Sequence, residues 1–193
     1  MYNQFEVKTM KNIYIVRHCK ADGQQADANL TAVGQEQTKQ LIEFFENRQI
    51  DAIYSSTYKR AYLSVEPLAK KRGLSIIQDE RLTERVFSTI QMDDWMTWFK
   101  KGFENPDLVF EGGESGRDAK KRIVQVIEEI IKSDAENIIV ASHGNLISMF
   151  LQTINEDFDF DDYWRISNPD VFLVTDSEED QLSYERIWVE KNN

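Results

Sequence analysis

The sequence predicts an α/β fold: a single domain with a mostly parallel central sheet and helices on both faces. Three observations carry this. Short apolar, β-branched runs recur along the chain, Ile13-Tyr14-Ile15-Val16 and Asn137 to Ser142 being the clearest. Segments with helical spacing and cap signals separate them, and strands alternating with helices imply parallel pairing through crossovers. The length, 193 residues, suits one domain and is enough to bury roughly 70% of the surface of the unfolded chain.

The elements follow in order. Ile13 to Val16 reads as a buried strand. Asp22-Gly23 and Asp27-Ala28-Asn29 mark a loop. Thr31 can cap a helix with an apolar face of Val33, Leu41, Phe44 and Phe45, running to about Arg48. Asp51 to Tyr54 is a second strand, followed by the turn Ser55-Ser56-Thr57. Tyr58 to Arg72 is a helix closed by Gly73, and Leu74 to Ile77 a third strand. Asp79 to Thr89 is polar and irregular. Asp93 to Phe103 is a Trp-rich helical piece. Ser115, with Asp118 three residues on, resembles a capping box opening a helix to about Lys132. Asn137 to Ser142 is the fourth strand and Gly144 to about Ile154 the next helix. Val171 to Thr175 and Leu182 to Val189 read as a late hairpin. Residues 1–10 are expected to be a leader outside the core and 11–193 the domain.

Composition excludes several classes. A net charge of -11 opposes a nucleic-acid or anionic-membrane partner, which wants a basic face. No apolar run approaches the roughly 20 residues of a membrane span, and Met1 to Asn12 lacks the apolar stretch of a signal peptide. A cytoplasmic location is the expectation. One cysteine excludes an internal disulfide framework and a multi-cysteine zinc site. Oligomeric state is not readable.

In parallel sheets ligands bind outside the carboxyl ends of the strands. That rule selects Arg17-His18, the segment Ser55 to Arg60, and His143. The chain has only two histidines, His18 and His143, and both directly follow a buried strand. A neutral, oriented imidazole is a nucleophile. Arginines offer bidentate forks to phosphoryl oxygens, and phosphoryl transfer needs that charge neutralisation with in-line geometry. Arg17 and Arg60 are placed to supply it. His143 adds a donor if a bound dianion protonates it, and N–H groups of the helix opening at Gly144 suit an anion. A leaving alkoxide needs a proton. Asp79, Glu80 and Glu84 are all available, and spacing does not choose among them.

Cys19 raises a rival chemistry, the cysteine phosphatase motif, in which an arginine stands six residues after the cysteine. Here that position is Gln25, and no Arg or Lys occurs between Lys20 and Lys39. Cys19 therefore reads as a small, partly buried residue. A neighbouring cation would make it reactive.

The ordered motifs resemble those of the histidine phosphatase superfamily, also called phosphoglycerate mutase-like. They are Arg17-His18, Leu30-Thr31 with Gly34 and Gln37, Ser55-Ser56 with Arg60-Ala61, Leu82 with Glu84, Gly113-Glu114-Ser115 and Ser142-His143-Gly144. The resemblance spans Asn12 to about Ile154. It implies His18 as the nucleophile that becomes phosphohistidine, Arg17, Arg60 and His143 as phosphate ligands, and Glu84 as proton donor. Gln24 and Gly144 are the expected substrate-binding residues. No metal and no cofactor are expected.

The implied activity is metal-independent hydrolysis of a small phosphate ester. Phosphoglycerate mutase activity and a low-turnover phosphate-ester binding module are the alternatives. This chain lacks the longer Asn-containing segment after Arg-His that marks the cofactor-dependent mutases. It also departs from the usual pattern. Cys19 stands where glycine is usual, Lys20-Ala21 where a Glu-Thr pair is, Ser55-Ser56 where Ser-Pro is, and Arg85-Val86-Phe87 where a Gly-rich stretch is. Lys20, Gln24, Lys59 and Arg85 are the candidates for the substrate-facing rim.

Overall fold

The computed structural model describes residues 10–176 and 181–189. Nearly all of the proposed leader lies outside them. Six strands form one sheet: β1 (Asn12–Arg17), β2 (Ala52–Ser56), β3 (Ile76–Asp79), β4 (Asn137–Ser142), β5 (Asp170–Asp176) and β6 (Leu182–Arg186). Their order is β3-β2-β4-β1-β5-β6. The first four are mutually parallel, whereas β5 runs antiparallel to β1 and pairs with β6 as the expected hairpin.

Helices cover both faces. On one, Leu41 of α1 (Ala32–Phe44) and Val65 and Leu68 of α2 (Lys59–Arg72) pack on Val16, Ile53 and Ala141. On the other, Ile123 and Ile127 of α4 (Gly116–Ile131) and Ile147 and Phe150 of α5 (Gly144–Ile154) pack on Ile13, Ile15 and Val140. Successive strand residues point to opposite faces, so one apolar run feeds both cores. That is why β1 reads as continuously apolar rather than alternating. The remaining helices are α3 (Trp95–Glu104) and α6 (Phe160–Trp164).

Local chemistry accounts for the helix ends. Thr31 Oγ1 accepts the N–H of Gly34, a side-chain cap of the kind expected. Gly73 ends α2 with φ 67°, the left-handed conformation that glycine adopts without steric cost. Ser115 Oγ accepts the N–H of Asp118, but the Asp118 carboxylate takes the Ser115 hydroxyl rather than its N–H, so only half of a capping box forms.

Several expectations need correction. Val33 is 54% exposed. The buried stripe of α1 is Gly34, Thr38 and Leu41, and the helix stops at Phe44, with turns taking the chain on to Arg48. β6 ends at Arg186 rather than Val189. The stretch read as irregular after β3 contains a 3-10 turn, Glu80–Leu82. Helix α6 was not expected, although its signal is in the sequence: Asp159 caps it in a full box with Asp162.

Candidate active site

Strand register builds the site. β1 and β4 are adjacent and parallel, with Arg17 opposite Ser142. The next residue on each strand is a histidine, so His18 and His143 emerge side by side at the carboxyl edge. Their rings lie 5.1 Å apart between centroids. β2 flanks β4 on the far side, with Ser55 opposite Ala141. That brings the turn after β2, and Arg60 on the first turn of α2, to the same edge.

His18 is buried, and its hydrogen bonds assign its tautomer. Nδ1 lies 2.7 Å from the carbonyl oxygen of Cys19, a partner that only accepts, so Nδ1 carries the hydrogen. Nε2 then holds the lone pair, and Arg60 Nε donates to it at 3.1 Å. Burial pushes the His18 pKa down to about 3 from 6.5, against the opposing Cys19 hydrogen bond, with the positive charges of Arg60 and Arg17 adding to the fall. His18 is therefore neutral in the free protein. Asn168 Nδ2 donates to the His18 carbonyl at 2.6 Å and holds the backbone there.

His143 is fully buried, and its pKa falls well below 6.5, mainly through burial, then through His18 and Arg60. It is neutral too, so its donor role toward an anion is set by the tautomer or by protonation once the anion is bound. Ser56 Oγ already accepts the N–H of Tyr58 and lies 2.8 Å from His143 Nε2. Where Ser56 donates its hydroxyl to Nε2, Nδ1 carries the ring hydrogen and is a donor; the second lone pair of the serine oxygen also allows Nε2–H to donate to Ser56. That Nδ1 is buried with no partner.

Two arginines complete the edge. Arg60 is fully buried, and its Nη1 donates to the carbonyls of Gln24 and Gln25, both at 2.9 Å. Its Nη2 has no partner. Arg17 Nη1 donates to the Ile166 carbonyl at 2.6 Å, while its buried Nε has none. A Cβ at Gly144 would stand 3.0 Å from the Arg17 guanidinium, so glycine at the start of α5 makes room for that side chain. Three unpartnered polar nitrogens on Arg17, Arg60 and His143 are a large desolvation cost for one site. An anion with several oxygens would satisfy them.

Among Asp79, Glu80 and Glu84, geometry separates what spacing could not. Asp79 is tied to Arg81 at 2.7 Å, and Glu80 is exposed. Glu84 is half-buried and lines the cavity at this edge. Its carboxylate accepts backbone N–H bonds from Arg85 (2.9 Å), Leu146 (3.0 Å) and Asn145 (3.2 Å). The N–H groups opening α5 were expected to face a phosphate; two of them hold Glu84 instead, a carboxylate in a helix N-terminal position.

The rim candidates divide. Gln24 and Arg85 line the cavity, which has a volume of about 530 Å³. Lys20 and Lys59 are exposed and do not. Arg85 is buried, with Nε donating to the Glu114 carbonyl. Cys19 is wholly buried; burial pushes its thiol up to about 12 despite a Ser64 contact, so the neighbouring cations do not make it reactive. Residues that sequence reasoning passed over include Asn168, already described, and Arg122; Ser56 lay within the selected Ser55 to Arg60 segment, though its bond to His143 was not foreseen. Arg122 pairs with both oxygens of Glu114 at 2.7 and 2.9 Å and donates to the carbonyls of Arg81 and Thr83 at 2.5 and 2.7 Å, fixing the chain that leads to Glu84. An arginine in an amphipathic helix carries no local sign of such a role. Among the described residues no group of three or more His, Cys, Asp or Glu is arranged to hold a metal ion, and no helix is long and apolar enough to cross a membrane.

Comparison with known proteins places this architecture. Phosphoserine phosphatase 1 of Hydrogenobacter thermophilus is 28% identical over 150 residues, covering 69% of this chain and 71% of that one. A protein of an Enterobacter strain named "Probable phosphoglycerate mutase GpmB" is 25% identical over 163 residues, covering 75% of each chain. The solved mycobacterial glucosyl-3-phosphoglycerate phosphatase shares the fold with a TM-score of 0.74 at 19% identity, covering 92% of this chain and 97% of that one. A phosphoserine phosphatase of Entamoeba histolytica, solved with phosphoserine, also has a TM-score of 0.74, at 18% identity, covering 90% of this chain and 94% of that one. The family profile described as "Histidine phosphatase superfamily (branch 1)" matches residues 13–183, and the chain belongs to that superfamily.

Proposed function

We propose that this chain is a phosphatase in which His18 Nε2 attacks the phosphorus of a small phosphate ester, in line with the leaving oxygen. The observation that carries this is the state of His18: buried, neutral, its Nδ1–H tied to the Cys19 carbonyl and its Nε2 lone pair held beside Arg17, Arg60 and His143. In the free protein Arg60 Nε–H occupies that lone pair. A bound phosphoryl oxygen draws the guanidinium to itself and releases the nucleophile. The N–P bond forms as the P–O bond breaks, and Glu84 gives its proton to the leaving oxygen. Glu84 then takes a proton from water, whose oxygen displaces the histidine from phosphorus. Arg17, Arg60 and the Nδ1–H of His143 neutralise and orient the equatorial oxygens throughout. Gln24 and Gly144 belong to substrate binding indirectly: Gln24 fixes Arg60 through its carbonyl, and Gly144 admits Arg17.

The partner in this reading is a free small-molecule ester in the cytoplasm. The test is hydrolysis of an aryl phosphate in the presence of EDTA. Turnover by the native chain and at least about a thousandfold loss in His18→Ala are expected. Activity that persists in the variant, or that requires added metal, overturns the reading. The relatives named as mutases motivate one alternative. Incubation with 3-phosphoglycerate and a trace of the bisphosphate should give inorganic phosphate or no reaction; isomer interconversion would favour the mutase.

A further inference from the structure

The cavity beyond the phosphate-facing edge has a wall of aromatic rings. Tyr58, Phe87, Trp95, Phe99 and Tyr163 all line it. The rings brace one another edge-on or tilted: Phe99 stands 5.4 Å from Phe87, 5.7 Å from Trp95 and 5.1 Å from Tyr163 between centroids. Tyr58 lies 5.3 Å from the His143 ring, so the aromatic wall begins at the catalytic edge. Helix α3 supplies two of these rings, and Trp95 remains 48% exposed at the cavity. A tryptophan that exposed against a preformed concave wall is apolar surface without a cover. Gln24, Glu84, Arg85, Ser88 and Asn145 are the polar residues that line the same cavity, and Asn145 alone among them has a buried side-chain oxygen without a partner. Asn145 is only 4% exposed.

From this we infer that the alcohol portion of the substrate carries an aromatic or other flat ring, stacked against Trp95, which the buried Phe99 braces from behind, together with a hydrogen-bond donor received by Asn145. The inference rests on the phosphatase reading for its orientation. A three-carbon alcohol such as serine or glycerate would leave most of a cavity of about 530 Å³ to water against aromatic surface, whereas ligand sites of this size ordinarily bury most of their ligand. A ring removes that surface from water and meets rings already in place, so little order is lost on binding.

Calorimetric binding of two phosphonates to the intact chain tests this without depending on turnover: propylphosphonate, and 3-phenylpropylphosphonate. The phenyl compound is expected to bind on the order of tenfold more tightly. In Trp95→Ala that ratio falls toward one; in Trp98→Ala, on the same helix but away from the cavity, it is kept. Equal affinities in the native chain, or a ratio indifferent to Trp95→Ala, overturn the inference. For Asn145, 3-(hydroxymethyl)phenyl and 3-methylphenyl phosphate are compared by kcat/KM, or as competitors of phosphonate binding if neither turns over. A hydroxymethyl preference that vanishes in Asn145→Leu is expected, and no preference removes the donor from the proposal. Ring-selective binding with no hydrolysis of any ester would overturn the phosphatase reading alone. Hydrolysis that depends on His18 but ignores the ring would overturn the ring alone.

Discussion

At the scale of single residues, what distinguishes His18 from an ordinary buried histidine is the division of labour between its two nitrogens. Nδ1 is committed to a backbone carbonyl and Nε2 to a buried guanidinium. Since burial lowers its pKa to about 3, the reactive neutral form already exists far below neutrality. The acid limb of kcat/KM should therefore not fall near 6.5 on account of His18; a limb fixed at about 6.5 for esters whose own phosphate pKa values differ would contradict this. Glu84 makes a different prediction. As the proton donor it matters most when the leaving group is basic. Glu84→Gln should lower kcat for an alkyl phosphate by about a hundredfold or more and for a p-nitrophenyl ester much less. Equal losses on both would remove Glu84 from that role. Spacing could not separate Glu84 from Glu80, and only the motif resemblance pointed to Glu84, because the physical distinction lies in three backbone N–H groups, two of them from a helix that begins 60 residues later.

Among the elements, α5 and the segment before it decide whether the site is assembled. Gly144 is the first residue of α5, and the atoms a Cβ would meet are the far end of Arg17. Gly144→Ala should thus fold normally, because the arginine can move, while phosphate inhibition weakens by about tenfold. A fall in thermal stability with unchanged phosphate affinity would mean that the glycine serves packing instead. Helix α4 contributes Arg122, which ties the chain before Glu84 to Glu114. Removing the guanidinium leaves two carbonyls and a carboxylate without it, at a cost of about 2–4 kcal/mol. Arg122→Met should then lower alkyl-ester turnover more than aryl-ester turnover, a Glu84-like signature that a purely structural loss would not produce. The caps at Thr31, Gly73 and Ser115 were legible because capping is decided within a few residues. The bond network of Arg122 was not, because its partners lie 8 to 41 residues away.

On the scale of the whole molecule, alternation of strands and helices was enough to predict the sheet, both covered faces and the edge where a site would form. Strand order was not legible. Only the order β2-β4-β1 makes the two histidines neighbours and adds Arg60, and nothing in a linear pattern says that the fourth strand inserts between the first two. The aromatic cavity was equally hidden: Trp95 and Phe99 read as ordinary packing until α3 was placed against Phe87 and Tyr163. Global stability should record the two buried histidines. Both have pKa values depressed below 6.5 in the folded state. In the window from about 6.5 down to about 3 the unfolded chain binds more protons, so their contribution is complete above 6.5 and lost as pH falls. Urea midpoints should therefore rise between pH 5 and 7, and less steeply in His143→Asn. A native slope unaltered by that substitution would show that other groups set it. Everything proposed for this site turns on a covalent intermediate at His18. Rapid quenching of the native chain during turnover of a phosphate ester, followed by peptide mass spectrometry, tests it most directly. The expected result is an acid-labile, alkali-stable phosphoryl group on the peptide containing His18, absent from His18→Ala; phosphate on another residue, or rapid turnover with no phosphorylated peptide under conditions that preserve phosphohistidine, would contradict it.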